Sequence, residues 1–173
     1  MFRSVDLPAS VSGRMLLHSM PGRYEALESV WIRLRNEAVN SIVCLAEKAE
    51  LREKSFEYAQ ALEDGTVPCQ VRIHEVADRG APEDRDGFWS FARDIAEEIR
   101  AGDTVLIHCA GGVGRTALLA TCVLLALGVS PSAARIAVSR AGSTVETAPQ
   151  SQLISWCAER SNRQSSGGTD ENE

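Results

Sequence analysis

Short apolar runs alternate along this chain with longer stretches whose apolar residues recur every three to four positions. Ser41–Ala46 is brief and nearly all apolar, as expected of a strand covered on both faces, Asp103–His108 is a short apolar strand, and Arg14–His18 is a short strand candidate. Val71–Val76 alternates apolar and polar residues and predicts a further strand. Between them the helical spacing predicts helices over Tyr24–Glu37, with Leu27, Val30, Trp31 and Leu34 on one face, and over Leu51–Glu63, ending near Gly65. Asp86–Arg100 carries Phe88, Trp89, Phe91, Ile95 and Ile99 and stops at Gly102. Arg115–Leu127 is a very apolar helix stopped by Gly128. Ser130-Pro131 opens another helix, and a last one spans about Pro149 to Arg160. Asp78–Pro82 and Gly111–Gly114 read as loop and turn from their Gly and Pro. Strands separated by helices predict an α/β fold: a central, mostly parallel sheet of four to five strands flanked by helices. Residues 1–160 form the single expected domain, with no repeat or linker, and 161–173 a disordered polar tail.

With 173 residues, 44% hydrophobic and 24% charged, the chain suits one soluble domain with a sizeable core. No apolar run reaches the ~18–20 residues of a membrane span. The first residues, Met1 to Pro8, lack the basic-then-apolar layout of a secretory signal. A cytoplasmic protein with no membrane association, and a monomer, is the expectation. The net charge of −6 argues against a nucleic-acid partner, because phosphate backbones demand clustered Lys and Arg. The five cysteines, Cys44, Cys69, Cys109, Cys122 and Cys157, are odd in number and none has C-x-x-C spacing. That pattern disfavours a disulfide framework and a zinc site. Cys44 and Cys122 sit in apolar runs and read as small core residues.

One stretch carries chemistry: Val105-Leu106-Ile107-His108-Cys109-Ala110-Gly111-Gly112-Val113-Gly114-Arg115-Thr116. It runs from strand through a glycine-rich turn into a buried helix. A loop at the carboxyl end of a central strand is where open α/β sheets place ligands. Successive amides of Ala110 to Gly114 can point inward, and the helix adds its positive end. This is an anion cradle of phosphate size. It lacks the Lys of a nucleotide-binding loop and instead opens with Cys109 and closes with Arg115. Amide dipoles and Arg115 favour the Cys109 thiolate as a nucleophile. The planar fork of Arg115 binds two phosphoryl oxygens. The Thr116 hydroxyl can donate to the sulfur, and His108 can orient the loop through its ring nitrogens.

Attack on a phosphate ester also needs an acid for the leaving oxygen. Asp78 follows a predicted strand directly, and parallel packing would bring it to the same rim as Cys109. Its carboxylate would then activate the hydrolytic water. Asp84 and Asp86 are the alternative acids, and both also suit a helix start. Arg23 and Arg79 fit either the pocket rim or a solvated surface. His18 and His74 carry no motif and suit ordinary strand or loop roles.

His108-Cys109-x5-Arg115-Thr116 resembles the H-C-x5-R-[S/T] signature of the protein tyrosine phosphatase superfamily. Val76-Ala77-Asp78-Arg79-Gly80-Ala81-Pro82 looks like the general-acid loop of small dual-specificity phosphatases. It is most similar to that of the kinase-associated phosphatase (cyclin-dependent kinase inhibitor 3) type. The resemblance extends over about Gly13 to Trp156. It implies a metal-free, cofactor-free hydrolase acting on phosphorylated proteins or peptides: phosphotyrosine, with phosphoserine and phosphothreonine as further substrates. It also implies Cys109 as nucleophile, Arg115 as phosphate binder and Asp78 as acid. Larger tyrosine phosphatases carry a water-positioning Q-T-x-x-Q loop. Here Val145–Gln150 keeps the second Gln, Gln150, and has Glu146 for the first. No loop matches the one that deepens the pocket of the large enzymes, which implies a shallow, less selective pocket.

Two other functions compete. A non-catalytic phosphopeptide-binding module would keep the cradle but needs neither Cys109 nor Asp78. A phosphatase for a lipid, an inositol phosphate or an RNA end is disfavoured by the acidic chain and by a cradle without Lys.

Overall fold

The computed structural model describes residues 1–166. Its sheet has five strands in the order β1-β2-β5-β3-β4: β1 (Arg3–Ser4), β2 (Arg14–His18), β3 (Ser41–Cys44), β4 (Gln70–Ile73) and β5 (Thr104–His108). β2, β5, β3 and β4 are parallel, and β1 joins the β2 edge antiparallel, with Arg3 opposite Leu17. The α/β sandwich with a mostly parallel sheet is therefore the observed fold.

Strand alternation divides the core. Met15, Leu17, Val43, Val105 and Ile107 point to one face and pack with α4 (Arg85–Arg100), α5 (Gly114–Ala126), α6 (Pro131–Arg140) and α7 (Ala148–Ser166). Leu16, Ile42 and Leu106 point to the other and meet Val30 and Leu34 of α1 (Leu27–Asn36). Each such side chain contributes about 1.5–3 kcal/mol by its burial. α5 is apolar all round because it is enclosed: Gly114 through Leu125 are buried, with α4, α6 and α7 packed around them. None of the described helices is long and apolar enough to cross a membrane.

The structure departs from the sequence reading in five places, the first being the helix expected over Tyr24–Glu37, which is α1 and runs only from Leu27 to Asn36. The expected helix Leu51–Glu63 is two, α2 (Lys48–Lys54) and α3 (Phe56–Glu63). They are broken at Ser55, whose backbone is extended (φ −157°) and whose hydroxyl donates to the carbonyl of Pro21 at 2.8 Å. This tertiary hydrogen bond leaves no trace in the periodicity. The strand expected over Val71–Val76 ends at Ile73, although the amides of His74 and Val76 still donate to Cys44 and Leu45. β1 is too short to register as a pattern. α7 runs to Ser166 instead of stopping at Arg160, since Ser161 to Ser166 contain neither Gly nor Pro and Ser161 Oγ donates to the Leu125 carbonyl. The helix thus takes the first part of the expected disordered tail, and 167–173 lie outside the described residues.

Candidate active site

The parallel strands end on one rim. β5 delivers Cys109 there, β3 leads into α2, and the segment after β4 brings Val76 and Asp78. β5 lies between β2 and β3, so the chain leaves it at the sheet's point of reversal, where a crevice opens.

Four carbonyls of the loop, those of Cys109, Ala110, Gly112 and Val113, are held on its outer side. Cys109 O accepts from His108 Nδ1 at 3.1 Å and Ala110 O from the Met20 amide at 3.1 Å. Gly112 O accepts from Arg3 Nη2 at 2.6 Å and Ser143 Oγ at 2.7 Å. Val113 O accepts from the Ala117 amide at 2.8 Å. A planar peptide with its oxygen outside presents its N–H inside. The Gly112 amide reaches the Cys109 sulfur at 3.3 Å, and Thr116 Oγ1 donates to the same sulfur at 3.2 Å. Gly112 has φ +70°, and a Cβ there would overlap the His18 carbonyl, so only glycine fits. The N-cap of α5 is Val113, which has no side-chain acceptor. The first amides of α5 are left for a ligand.

Arg115 is buried, and its four terminal N–H groups are all engaged. Nη1 donates to Glu50 Oε2 (2.8 Å) and Val76 O (3.0 Å); Nη2 donates to Glu50 Oε1 (2.9 Å) and Asp78 Oδ1 (2.9 Å). The hydrogen bonds from Arg115 hold the Glu50 carboxyl down at about 2, helped by Lys54 and opposed by burial. Burial pulls the Arg115 guanidinium down, but Glu50, Cys109 and Asp78 outweigh it and raise it above its ordinary value. Asp78 keeps its side chain 62% exposed while touching Arg115.

His108 is fully enclosed. With Nδ1 donating to Cys109 O, Nε2 accepts from the Tyr58 hydroxyl at 2.9 Å. Burial pushes its ring down to about 4, so it is neutral. It orients the loop rather than meeting the cavity.

The cavity itself has a volume of about 220 Å³. It is lined by Cys109, Ala110, Gly111, Val113, Gly114, Arg115 and Asp78, with Arg23, Tyr24, Lys54 and Glu146 around it. The structure thus brings together Cys109, Arg115, Asp78 and most of the cradle expected from sequence. Thr116 and Gly112 stand directly behind the sulfur. Gln150 is not brought to the cavity: it is fully buried, its Oε1 accepts from the Glu146 amide at 2.9 Å, and its Nε2 donates to Gly80 O at 3.1 Å. With both ends engaged it braces the loop that carries Asp78. Thr147 does likewise through Arg79 O at 3.0 Å. Glu146, by contrast, lies against Gly114 inside the cavity, over backbone that a Cβ would block. Asp84 caps α4 by accepting from the Gly87 amide, and Asp86 pairs with Arg160, so neither faces the cavity.

Sequence reasoning passed over Glu50, Tyr58, Ser143 and Arg3. All four act through residues distant in sequence, and none belongs to a local motif. The i,i+4 pair of Glu50 and Lys54 is the one local signal, and it reads equally well as a solvated helix face.

Comparison with known proteins gives a family and a fold. The model of the family described as Swiss Army Knife protein, DSP-PTPase phosphatase domain (PTP-SAK) matches residues 11–173. Cyclin-dependent kinase inhibitor 3 of Rattus norvegicus is 39% identical over 59 residues, a match that spans 34% of this chain and 27% of that protein. Kinase associated phosphatase, solved with its catalytic-site cysteine replaced by serine, superposes with a TM-score of 0.76 at 20% identity, over 95% of this chain and 96% of that one. The active form of Tk-PTP gives a TM-score of 0.68 at 26% identity, over 88% and 98%.

Proposed function

The chain belongs to the PTP-SAK family of DSP-PTPase phosphatase domains, and we propose that it is an active phosphoprotein phosphatase working through Cys109. Its substrates are phosphotyrosine residues, with phosphoserine and phosphothreonine as further ones. The observation that carries this reading is the meeting of Cys109, Arg115 and Asp78 in one cavity, with the sulfur already receiving two hydrogen bonds. A module that only binds phosphate has no use for that sulfur or for the acid.

The reaction runs in two displacements. The Cys109 thiolate attacks phosphorus, an S–P bond forms, and the ester P–O bond breaks. The departing oxygen takes the proton of Asp78 and leaves as phenol or alcohol. A water then attacks the phosphocysteine and gives a proton to Asp78. The S–P bond breaks, and inorganic phosphate leaves. The Thr116 hydroxyl and Gly112 amide stabilise the returning thiolate. Arg115 and the inward amides hold the three equatorial oxygens throughout. Because Asp78 takes an Nη2 hydrogen of Arg115, an arriving phosphate displaces it there and frees it to act as acid. Exposed Tyr24, stacked beneath Arg23, offers an aromatic wall beside the mouth. The cradle loop itself, Ala110 to Gly114, carries no Lys, and the further cations at the cavity are Arg23 and Lys54 around it.

The test is hydrolysis of an aryl phosphate and of phosphopeptides by the purified chain in a chelator. Activity that disappears in Cys109→Ser, with phosphate label trapped on Cys109 of the rapidly denatured wild-type protein, supports the reading. A wild-type protein that binds phosphopeptide and never turns over would make it a binding module.

A further inference from the structure

We propose that Arg3 is a positioning residue of the phosphate cradle, contributed by the N-terminal strand and not by the strand–loop–helix that carries Cys109. The inference rests on the cradle being the phosphate site. Its observation is a single guanidinium that clamps two loops: Arg3 Nη2 donates to Gly112 O and Nη1 to Gly142 O, both at 2.6 Å. Ser143, next to Gly142, puts its buried hydroxyl on the same Gly112 oxygen at 2.7 Å. Three segments, β1, the Cys109 loop and the α6–α7 turn, therefore meet on one carbonyl.

That carbonyl matters because of where it sits. Gly112 is left-handed, at φ +70°. Glycine peptides rotate between conformations at little steric cost. If Gly112 O turned inward, the Val113 N–H would turn outward, because the two are fixed on opposite sides of one planar peptide. The cavity lined by Val113 would then gain an oxygen and lose a donor, a double penalty for an anion. Two donors on Gly112 O prevent this. Burial lowers the Arg3 guanidinium below its ordinary value, and the nearby Cys109 sulfur opposes part of that shift. Pairing of β1 with β2, Arg3 opposite Leu17, sets its place. Arg3 lies before residue 11, where the family match begins. Gly142, at φ +76°, lets its turn pass under the guanidinium, where a Cβ would crowd Nη1.

The experiment measures tungstate binding by calorimetry, beside kcat/KM on an aryl phosphate. Arg3→Met should weaken tungstate binding and lower kcat/KM by about 10–100-fold each, the usual yield of losing an outer-shell partner. Arg3→Lys, with its charge and one donor site, should recover part of both. Arg14→Met, which cuts a tie to Glu37 at the other end of β2, should leave both unchanged. A folded Arg3→Met with wild-type tungstate affinity overturns the proposal, whatever its melting temperature, and makes Arg3 a staple of the N-terminal strand. Should Arg3→Met not fold, Arg3→Gln, which keeps a single neutral donor, is held to the same criterion. Because binding is read without turnover, a wild-type protein that binds tungstate but hydrolyses nothing sinks the phosphatase reading and leaves the Arg3 test standing.

Discussion

Glu50 grips Arg115 with both carboxylate oxygens, at 2.8 and 2.9 Å, in a pair whose side chains are 9% and 2% exposed. The guanidinium is thereby fixed at the end of α2 before any substrate arrives, and its plane is set by a residue that never meets phosphate.

Removing that grip should hurt both stability and rate. Glu50→Ala leaves a buried cation without its partner and should lower the unfolding free energy by about 3 kcal/mol. The rate kcat/KM should drop by about 10–100-fold. The pH dependence has a definite sign. The folded carboxyl sits at about 2, below its ordinary 4.5, so its contribution is complete above pH 4.5 and is lost as pH falls towards 2. Urea unfolding at pH 5 and pH 3 should show this loss in wild type and a smaller one in Glu50→Gln. Equal losses would remove Glu50 as the cause.

His108 acts in a different window. Its folded ring, pushed to about 4 by burial, resists the proton that the unfolded ring accepts near 6.5. Stability is therefore untouched above pH 6.5 and declines as pH falls from 6.5 to 4, by about 3 kcal/mol in all. His108→Asn should flatten that part of the profile. His18, also pushed to about 4 chiefly by burial, leaves a residual slope in the variant. A profile identical to wild type would assign the whole decline to other groups.

Asp78→Ala separates chemistry from binding. Turnover of alkyl phosphates should fall by about 10²–10⁴-fold, and that of nitrophenyl phosphate, whose leaving group needs no proton, far less. Tungstate affinity should hold or improve, since the carboxylate that competes for Arg115 Nη2 is gone. Uniform loss with both leaving groups would place the acid elsewhere.

Two alanine substitutions in the same loop should behave oppositely. Gly112→Ala forces a side chain into the His18 carbonyl at a left-handed backbone position, and should abolish oxyanion binding. Gly114→Ala meets only the flexible end of Glu146, which can swing aside, so the protein should fold with near wild-type melting. Calorimetry with tungstate and a thermal scan distinguish them.

Much of the site was legible because its chemistry is contiguous. Cys109, Arg115 and Thr116 occupy one strand–turn–helix, and the bounds of β2, Arg14–His18, match the short strand that the sequence suggests around Met15-Leu16-Leu17. Asp78 was legible because parallel strands end on one rim. What sequence could not show is tertiary. The break at Ser55 depends on a carbonyl of Pro21, and it lets α2 aim Glu50 at Arg115 while α3 aims Tyr58 at His108. Gln150 resembles the second Gln of the water-positioning loop of larger tyrosine phosphatases. The burial of both amide ends, visible only in three dimensions, makes it a brace.

The outward-facing oxygens of the Cys109 loop have a wider consequence. Three of them are fastened by other stretches of the chain: Gly112 O by β1 and by the approach to α7, Ala110 O by the turn after β2, and Val113 O by α5. The anion receptor is therefore assembled only when the whole architecture closes. Substrate affinity and conformational integrity become one quantity, so that loosening the N-terminal strand or the turn before α7 erodes recognition at the centre, and a captured oxyanion tightens both.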